Sequence, residues 1–345
     1  MPVSEKDRLY WIDAIRSFAC LCVLVMHSLV DPHVFKACTG VMANHAYLFI
    51  ATGGASVLFF MISGALVLYR PKPALPFFKR RLLRIGVPVV IWSVVQLLIK
   101  VFSGELGWSE FWWRVPQIAL SAQVGQYWFI YVLFGIYLMT PVVAWWLERC
   151  SRRELELYLG IWGVMLVLRY FAHVFPAVDV MVNTESGYLY HFFSYLWFAI
   201  LGYYLRRYVN IPNFGLKHLA VLLVTLAVAI TAPLWLRRLG VPYPVLASRA
   251  TLHFALAGTC YFLILKHLHY GPRMCRWLYI FAQHTFGIYL IHILVRKFVV
   301  WPFFSDCVIN VAVMVPVVAV VVAAVSFLVV HLISKLPGSK YIVGV

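Results

Sequence analysis

Apolar runs of about twenty residues recur along the whole chain, and each is long enough to cross the hydrocarbon core of a bilayer. Of the 345 residues, 63% are hydrophobic and only 12% are charged, whereas about 25% of the residues in a soluble domain are charged. This pattern predicts an all-α integral membrane protein, built as a bundle of about ten transmembrane helices. It excludes an ordinary soluble enzyme.

The predicted spans begin and end near charged residues, prolines or glycines. They cover approximately residues 9–30, 47–69, 83–102, 127–147, 155–175, 190–208, 216–236, 249–267, 278–300 and 309–334. The longest connections, 31–46 and 103–126, are too short to form a separate core. Residues 1–345 are therefore expected to form one transmembrane domain. The first run is long enough to span and is followed by many more, which distinguishes it from a cleavable signal peptide.

The basic residues predict the orientation of these spans. With ten spans both termini lie on one side, and most of the 29 lysines and arginines fall in connections on that same side. Cytoplasmic loops carry such an excess, so both termini are expected in the cytoplasm. The same topology explains the net charge of +17, and we expect no nucleic-acid partner.

The seven cysteines are scattered along the chain. They form no Cys-x-x-Cys pair and show no ligand-like spacing with histidine, which argues against a zinc site or a disulfide framework. We therefore expect no metal. A bridge between Cys38 and Cys307, which both fall in predicted outer loops, stays open.

The first span carries an arginine and a histidine within the stretch YWIDAIRSFACLCVLVMHSLVD. Arg16 and His27 are eleven positions apart, which places them within about 20° on a helix and about 16 Å along its axis. Because a charge in hydrocarbon costs several kcal/mol, Arg16 is expected to face protein or water. It either pairs with Asp13 and fixes the end of the helix, or lines a functional cavity. His27 is either a satisfied core residue or a general base whose ring Asp31 orients.

Other segments offer further polar groups. The ninth span contains GIYLIH, in which Tyr289 and His292 lie three positions apart at a depth similar to that of His27. The sequence does not show whether the two helices touch. Between the second and third spans lies a basic cluster, interpreted either as a positive-inside anchor or as a phosphate site; its members are Arg70, Lys72, Lys79, Arg80, Arg81 and Arg84. Ser63 and Gly64 in FFMISGALVLY predict close helix packing.

Six segments in this order resemble the membrane acyltransferase family 3, and most closely its short stand-alone members similar to the WecH-type sugar O-acetyltransferases. The segments are YWIDAIRSFACLCVLVMH, VLFFMISGALVL, FFKRRLLRIGVPVVIW, YWFIYVLFGIYLMTP, YLWFAILGYYLRR and HTFGIYLIH. The resemblance covers essentially the whole chain. It implies transfer of an acyl group, usually acetyl, from cytoplasmic acetyl-CoA to a hydroxyl of a cell-envelope glycan or its lipid-linked precursor. It also implies a multi-pass protein of the bacterial inner membrane.

The resemblance also implies roles for residues. His27 matches the essential histidine of the family and Arg16 the arginine before it, and we add Asp31 to this catalytic group. The segment with Arg80, Arg81 and Arg84 matches the one thought to meet the coenzyme A phosphates. To this donor-binding set we add Lys79, Tyr289 and His292.

Several alternatives stay open at this point. The hydroxyl of the acceptor reacts either directly with the thioester or with a transient acyl-histidine. Larger members of the family carry an extra periplasmic hydrolase-like domain, which leaves open whether a partner protein completes the transfer. A homo-oligomer is also compatible with the sequence. A glycan-lipid flippase or transporter is the leading alternative function, and an inactive subunit of a polysaccharide export complex is the third.

Overall fold

The computed structural model describes residues 9–29, 38–39, 42–69, 73–192, 194–303 and 309–345. Asp31, Arg70, Lys72 and Cys307 lie outside these residues, so the predictions that involve them stay predictions. The described α-helices are α1 (Tyr10–His27), α2 (Met42–Gly54), α3 (Ser56–Val67), α4 (Ala74–Arg81), α5 (Val87–Phe102), α6 (Trp108–Gln117), α7 (Trp128–Arg149), α8 (Arg152–Leu168), α9 (Pro176–Asn183), α10 (Leu196–Arg207), α11 (Leu216–Arg238), α12 (Tyr243–Ala247), α13 (Leu252–His267), α14 (Pro272–Val295), α15 (Val311–Ser334) and α16 (Ser339–Ile342).

Shorter elements connect or extend these helices. Two π-helical segments, Leu82–Gly86 and Arg296–Val300, follow α4 and α14 directly. The 3₁₀ turns are Gly125–Tyr127, Tyr190–Phe192 and Trp301–Phe303. Two-residue strands, β1 (Cys38–Thr39) and β2 (Ile309–Asn310), pair in parallel.

Among the described residues, eight segments are long and apolar enough to cross a membrane. They are Tyr10–His27, Asn44–Val67, Ala74–Phe102, Gly125–Arg149, Leu216–Arg238, Tyr243–His267, Pro272–Phe303 and Val311–Ser334. The chain is therefore a helical, multi-pass membrane protein, as the sequence predicts.

The fifth and sixth predicted spans correspond to shorter helices. In α8 there are 17 residues and in α10 only 12. At about 1.5 Å per residue, α10 covers about 18 Å of a hydrocarbon core that is about 30 Å thick. The count of ten spans and the side of the termini therefore remain predictions. The second predicted span is two helices, because the backbone leaves the helical conformation at Ala55, between α2 and α3.

The chain divides into two compact units. The first contains residues 1–22, 48–71 and 140–278, and the second contains residues 23–47, 72–139 and 279–345.

In the first unit, α3 and α10 approach so closely that their backbones touch. A Cβ atom on Gly64 would lie 1.8 Å from the carbonyl oxygen of Ala199, and one on Gly202 would lie 1.9 Å from that of Met61. Only glycine fits at these two positions. Small residues that let helix backbones meet are a common device in membrane proteins, and this contact agrees with the predicted packing role of Gly64.

In the second unit, the segment around α16 packs against the first half of α5 and the π-helical segment Leu82–Gly86 before it. The Trp92 indole donates to the carbonyl of Ile342 at 2.9 Å, and Arg84 Nε donates to that of Gly344 at 3.4 Å. Val343 is completely buried. This segment therefore sits beside the predicted phosphate-binding arginines.

Candidate functional site

The second unit brings together two of the histidines singled out in the sequence. His27 ends α1 and His292 lies on α14, and their ring centroids are 5.0 Å apart with the planes tilted by 52°. The Arg296 guanidinium donates to the backbone carbonyl of His27. Carbonyls in the last turn of a helix lack intrahelical partners, so this contact fixes the end of α1 next to α14.

His292 is held in one tautomer. Its Nδ1 lies 2.7 Å from the Tyr289 carbonyl oxygen, which can only accept, so Nδ1 carries the hydrogen. The side chain is 1% exposed. Its Nε2 is buried and has no hydrogen-bond partner among the described residues. A buried polar atom without a partner typically costs about 1–3 kcal/mol, and such atoms require an explanation, often a functional one.

A buried polar network runs along the adjoining part of α14. The Tyr127 hydroxyl donates to the Leu290 carbonyl at 2.7 Å, and Gln96 Nε2 donates to the Tyr127 oxygen at 2.7 Å. Gln126 Nε2 donates to Gln96 Oε1 at 3.0 Å, and the Tyr289 hydroxyl donates to the Gln126 carbonyl. These contacts hold Tyr289, and the turn of helix that carries His292, in a fixed position.

Sequence reasoning missed most of this network. Gln96 was visible as an amide within the apolar run VPVVIWSVVQLLIKVF, and a polar group inside a span marks a site of interest in a membrane. Gln126, Tyr127 and Arg296 carried no distinguishing pattern, because aromatic and basic residues near the ends of spans are usually interfacial.

The predicted donor-binding cations have different environments. Lys79, Arg80 and Arg84 are exposed, and Arg80 Nε donates to the Pro76 carbonyl at 3.1 Å. The Arg81 guanidinium instead lies over the ring of Tyr137, at 5.0 Å from its centroid.

Arg81 also lies 5.4 Å from the centroid of Phe77, which is buried. Its charge is therefore engaged by two aromatic rings within the second unit. Arg80 and Arg84 remain one helical turn apart on the exposed side, where the π-helical segment Leu82–Gly86 follows α4. Both guanidinium groups are therefore accessible from solvent.

Arg16 belongs to the first unit and pairs with Asp13. Its Nη1 lies 4.0 Å from Asp13 Oδ1, and the Asp13 side chain is 5% exposed. The ion pair that the spacing allows is thus present. In the same unit Tyr170 and His253 form a buried pair at 2.6 Å, and Arg169 Nη1 donates to the Ala250 carbonyl at 3.2 Å. No pattern in the sequence indicated this second cluster.

Comparison with known proteins gives one finding. A family model described as an acyltransferase domain matches residues 9–334. No curated protein and no solved structure matches the chain. The matched range contains the two histidines, the exposed arginines and the buried network.

Proposed function

The chain belongs to the acyltransferase family 3, and from this premise we propose that it transfers an acetyl group from cytoplasmic acetyl-CoA to a hydroxyl of a cell-envelope glycan or its lipid-linked precursor. The proposed location is the bacterial inner membrane. The observation that carries the proposal is the contact between His27 and His292, because it brings a second imidazole next to the expected base.

His27 is the proposed general base. It accepts the proton of the acceptor hydroxyl while that oxygen attacks the thioester carbonyl carbon. When the tetrahedral intermediate collapses, the C–S bond breaks and the coenzyme A thiolate takes the proton from His27. The products are an acetyl ester and free coenzyme A, so atoms and charge balance. An acyl-histidine would divide the same transfer into two steps.

The donor is proposed to bind through its phosphates on Lys79, Arg80 and Arg84, whose exposure supports this role. The resemblance assigns Arg81 to the same set. Because its guanidinium is engaged by Tyr137 and Phe77, we expect Arg81 to support the fold of this segment more than to bind the donor.

The pantetheine arm would extend along α1 past Arg16. Eleven helical residues rise about 16 Å, a length comparable to that arm. In this proposal Arg16 lines the donor path, Tyr289 and His292 lie at its reactive end, and Asp31 orients His27.

Release of free thiol tests the function directly. The full chain in proteoliposomes receives acetyl-CoA and an envelope-glycan extract, and coenzyme A thiol is followed over time. We expect thiol release in step with acceptor acetylation. His27→Asn is expected to lower the rate by at least about 10²-fold, the usual size of a general-base contribution.

The matched control is His269→Asn, because His269 is exposed just after the end of α13 and has no proposed role. It should retain the normal rate. A flippase would move glycan without releasing thiol. Normal release by His27→Asn at equal protein level would remove His27 as the base.

A further inference from the structure

We propose that His292 is a positioning residue, which accepts a hydrogen bond on its buried Nε2 from a ring N–H of His27 and thereby fixes the tautomer of the base. The inference rests on the proposed function, in which His27 takes the proton of the acceptor. It gives a specific role to His292, which the sequence analysis assigned only to the donor-binding set.

The hydrogen positions on His292 make Nε2 an acceptor. Since Nδ1 donates to the Tyr289 carbonyl, the neutral ring has its lone pair on Nε2. That atom has no hydrogen-bond partner among the described residues. The described ring contacts of His292 are with His27 and Tyr289, and the His27 ring is the closer one by centroid distance. A donor from His27 would satisfy the atom and remove the desolvation penalty.

Another histidine of α14 already forms such a bond, with His331 of α15. His284 of α14 also has its Nδ1 2.7 Å from a backbone carbonyl, that of Ile280. Its Nε2 lies 3.3 Å from Nδ1 of His331, which therefore donates to it. The two centroids are 5.3 Å apart and the planes are tilted by 47°.

The His27 pair has nearly the same ring geometry, with a centroid distance of 5.0 Å and a tilt of 52°. An N–H···N bond of about 3.0 Å between two imidazoles, with each nitrogen about 1.2 Å from its centroid, needs a centroid distance of about 5.4 Å or less. The spacing is therefore already correct. In the proposed arrangement a ring N–H of His27 points toward Nε2 of His292, and the observed ring spacing is compatible with that bond.

The charged and titratable groups described around the pair are engaged in contacts of their own. The Arg296 guanidinium donates to the His27 carbonyl and lies 5.7 Å from the Trp301 ring centroid. The Tyr289 ring is 5.8 Å from that of His292, and its hydroxyl donates to Gln126. Lys297, the next cation, pairs with Glu105 at 2.5 Å.

In the proposed arrangement the lone pair on His292 Nε2 accepts the hydrogen bond of the imidazolium that forms on His27 during the reaction.

The arrangement resembles a catalytic triad in which the carboxylate is replaced by a neutral imidazole. In a triad the third group holds the histidine in one tautomer and stabilises the imidazolium that forms. Here the His27 nitrogen that faces His292 keeps its hydrogen throughout. The opposite nitrogen takes the hydroxyl proton and later returns it to the coenzyme A thiolate.

The kinetic test uses His292→Ala, His292→Gln and the control His284→Ala, each as the full chain in proteoliposomes. In His292→Ala we expect kcat to fall about 10²-fold, with the KM for acetyl-CoA changed less than twofold. The acid limb of the pH profile should move to lower pH, because the His27 imidazolium loses its acceptor. His292→Gln, whose amide oxygen can accept the same N–H, should recover at least tenfold over alanine.

His284→Ala should lower thermal stability and leave kcat and the pH limb unchanged, since His284 contacts His331 and not His27. His292→Ala could instead keep the normal kcat and the normal acid limb of the pH profile while the unmodified chain is active. That result would contradict the role of His292 in positioning His27 and would leave the proposed function standing.

A spectroscopic readout is independent of activity. With ¹⁵N-labelled histidine, the His27 signal is identified as the one missing from His27→Asn. We expect a single neutral tautomer for His27 in the unmodified chain and a mixture in His292→Ala. Identical tautomer populations in the unmodified chain and in His292→Ala would contradict the proposed hydrogen bond between His27 and His292. If the unmodified chain shows the fixed tautomer but releases no thiol, only the proposed function is contradicted.

Discussion

At the scale of single residues, the exposed arginines and the ring-covered arginine of the basic segment should respond differently to the same substitution. Arg84 is exposed and contacts the chain through the Gly344 carbonyl. Arg81 lies over Tyr137 and Phe77. A phosphate group can bind Arg84 without disturbing the packing, whereas Arg81 contributes to the fold.

Arg84→Gln is expected to raise the KM for acetyl-CoA about tenfold and to leave kcat unchanged. A hydrogen bond to a charged group contributes about 1.5–3 kcal/mol, and the loss concerns binding of the donor in both the ground state and the transition state. Initial rates at varied acetyl-CoA measure it. Arg149→Gln, an exposed arginine elsewhere in the chain, is the control, and an unchanged KM in Arg84→Gln would argue against the phosphate site.

Arg81→Gln should act on stability. Loss of a cation that lies over two rings typically costs about 0.5–2 kcal/mol, so the midpoint of thermal unfolding should fall, while the KM of the folded fraction should change less than twofold. Size-exclusion chromatography after heating, read by fluorescence, gives the midpoint. A large KM effect with normal stability would place Arg81 with the donor.

The sequence singles out candidate site residues, but it does not encode which of them are in contact. His27 and His292 were singled out because polar groups within apolar runs are unusual. Their contact depends on α1 and α14 being neighbours, and no spacing within either helix encodes that. Gln96 and Tyr127 were missed for the same reason, since their hydrogen bonds join segments far apart in the chain.

At the scale of helices, apolar runs predicted where the spans lie but misplaced some ends. The fifth predicted span reaches residue 175, yet α8 ends at Leu168. The following residues form tighter turns, in which the Tyr170 N–H donates to the Val167 carbonyl. The side chains of Arg169 and Tyr170 bind Ala250 and His253 in tertiary contacts. Hydropathy cannot register them, because the residues after Leu168 are still largely apolar and aromatic.

The crossing of α3 and α10 gives a sharp test of packing. Gly64→Ala would place a methyl group 1.8 Å from a backbone oxygen, so the helices must separate, and we expect a loss of at least about 3 kcal/mol, at or beyond the upper end for overpacked sites. Thermal unfolding measures this.

Gly163→Ala is the matched control for that substitution. Gly163 lies within α8, and nothing lies within 4 Å of an added Cβ, so alanine should be neutral or slightly stabilising there. Equal melting temperatures for the two alanine variants would contradict the close crossing.

At the scale of the whole molecule, the number of spans decides which side of the membrane several loops face. If α8 and α10 both cross, residue 184 lies outside and residue 213 inside. If neither crosses, both residues lie on the cytoplasmic side with the termini. The basic residues favour cytoplasmic termini in either case.

Cysteine labelling in intact cells distinguishes these topologies. In a background without the native cysteines, Thr184→Cys is expected to react with a membrane-impermeant maleimide, and Asn213→Cys only after lysis. Both positions lie in connections and not within helices. Protection of both in intact cells would indicate that α8 and α10 do not span.

The most direct test of the central claim is mass spectrometry of envelope glycans from cells that express the chain, its His27→Asn variant, or neither. We predict a hydroxylamine-labile acetyl increment that appears only with the unmodified chain. The increment should be absent from His27→Asn at equal membrane level. An equal increment in the variant, or none in any of the three, would contradict acetyl transfer by His27.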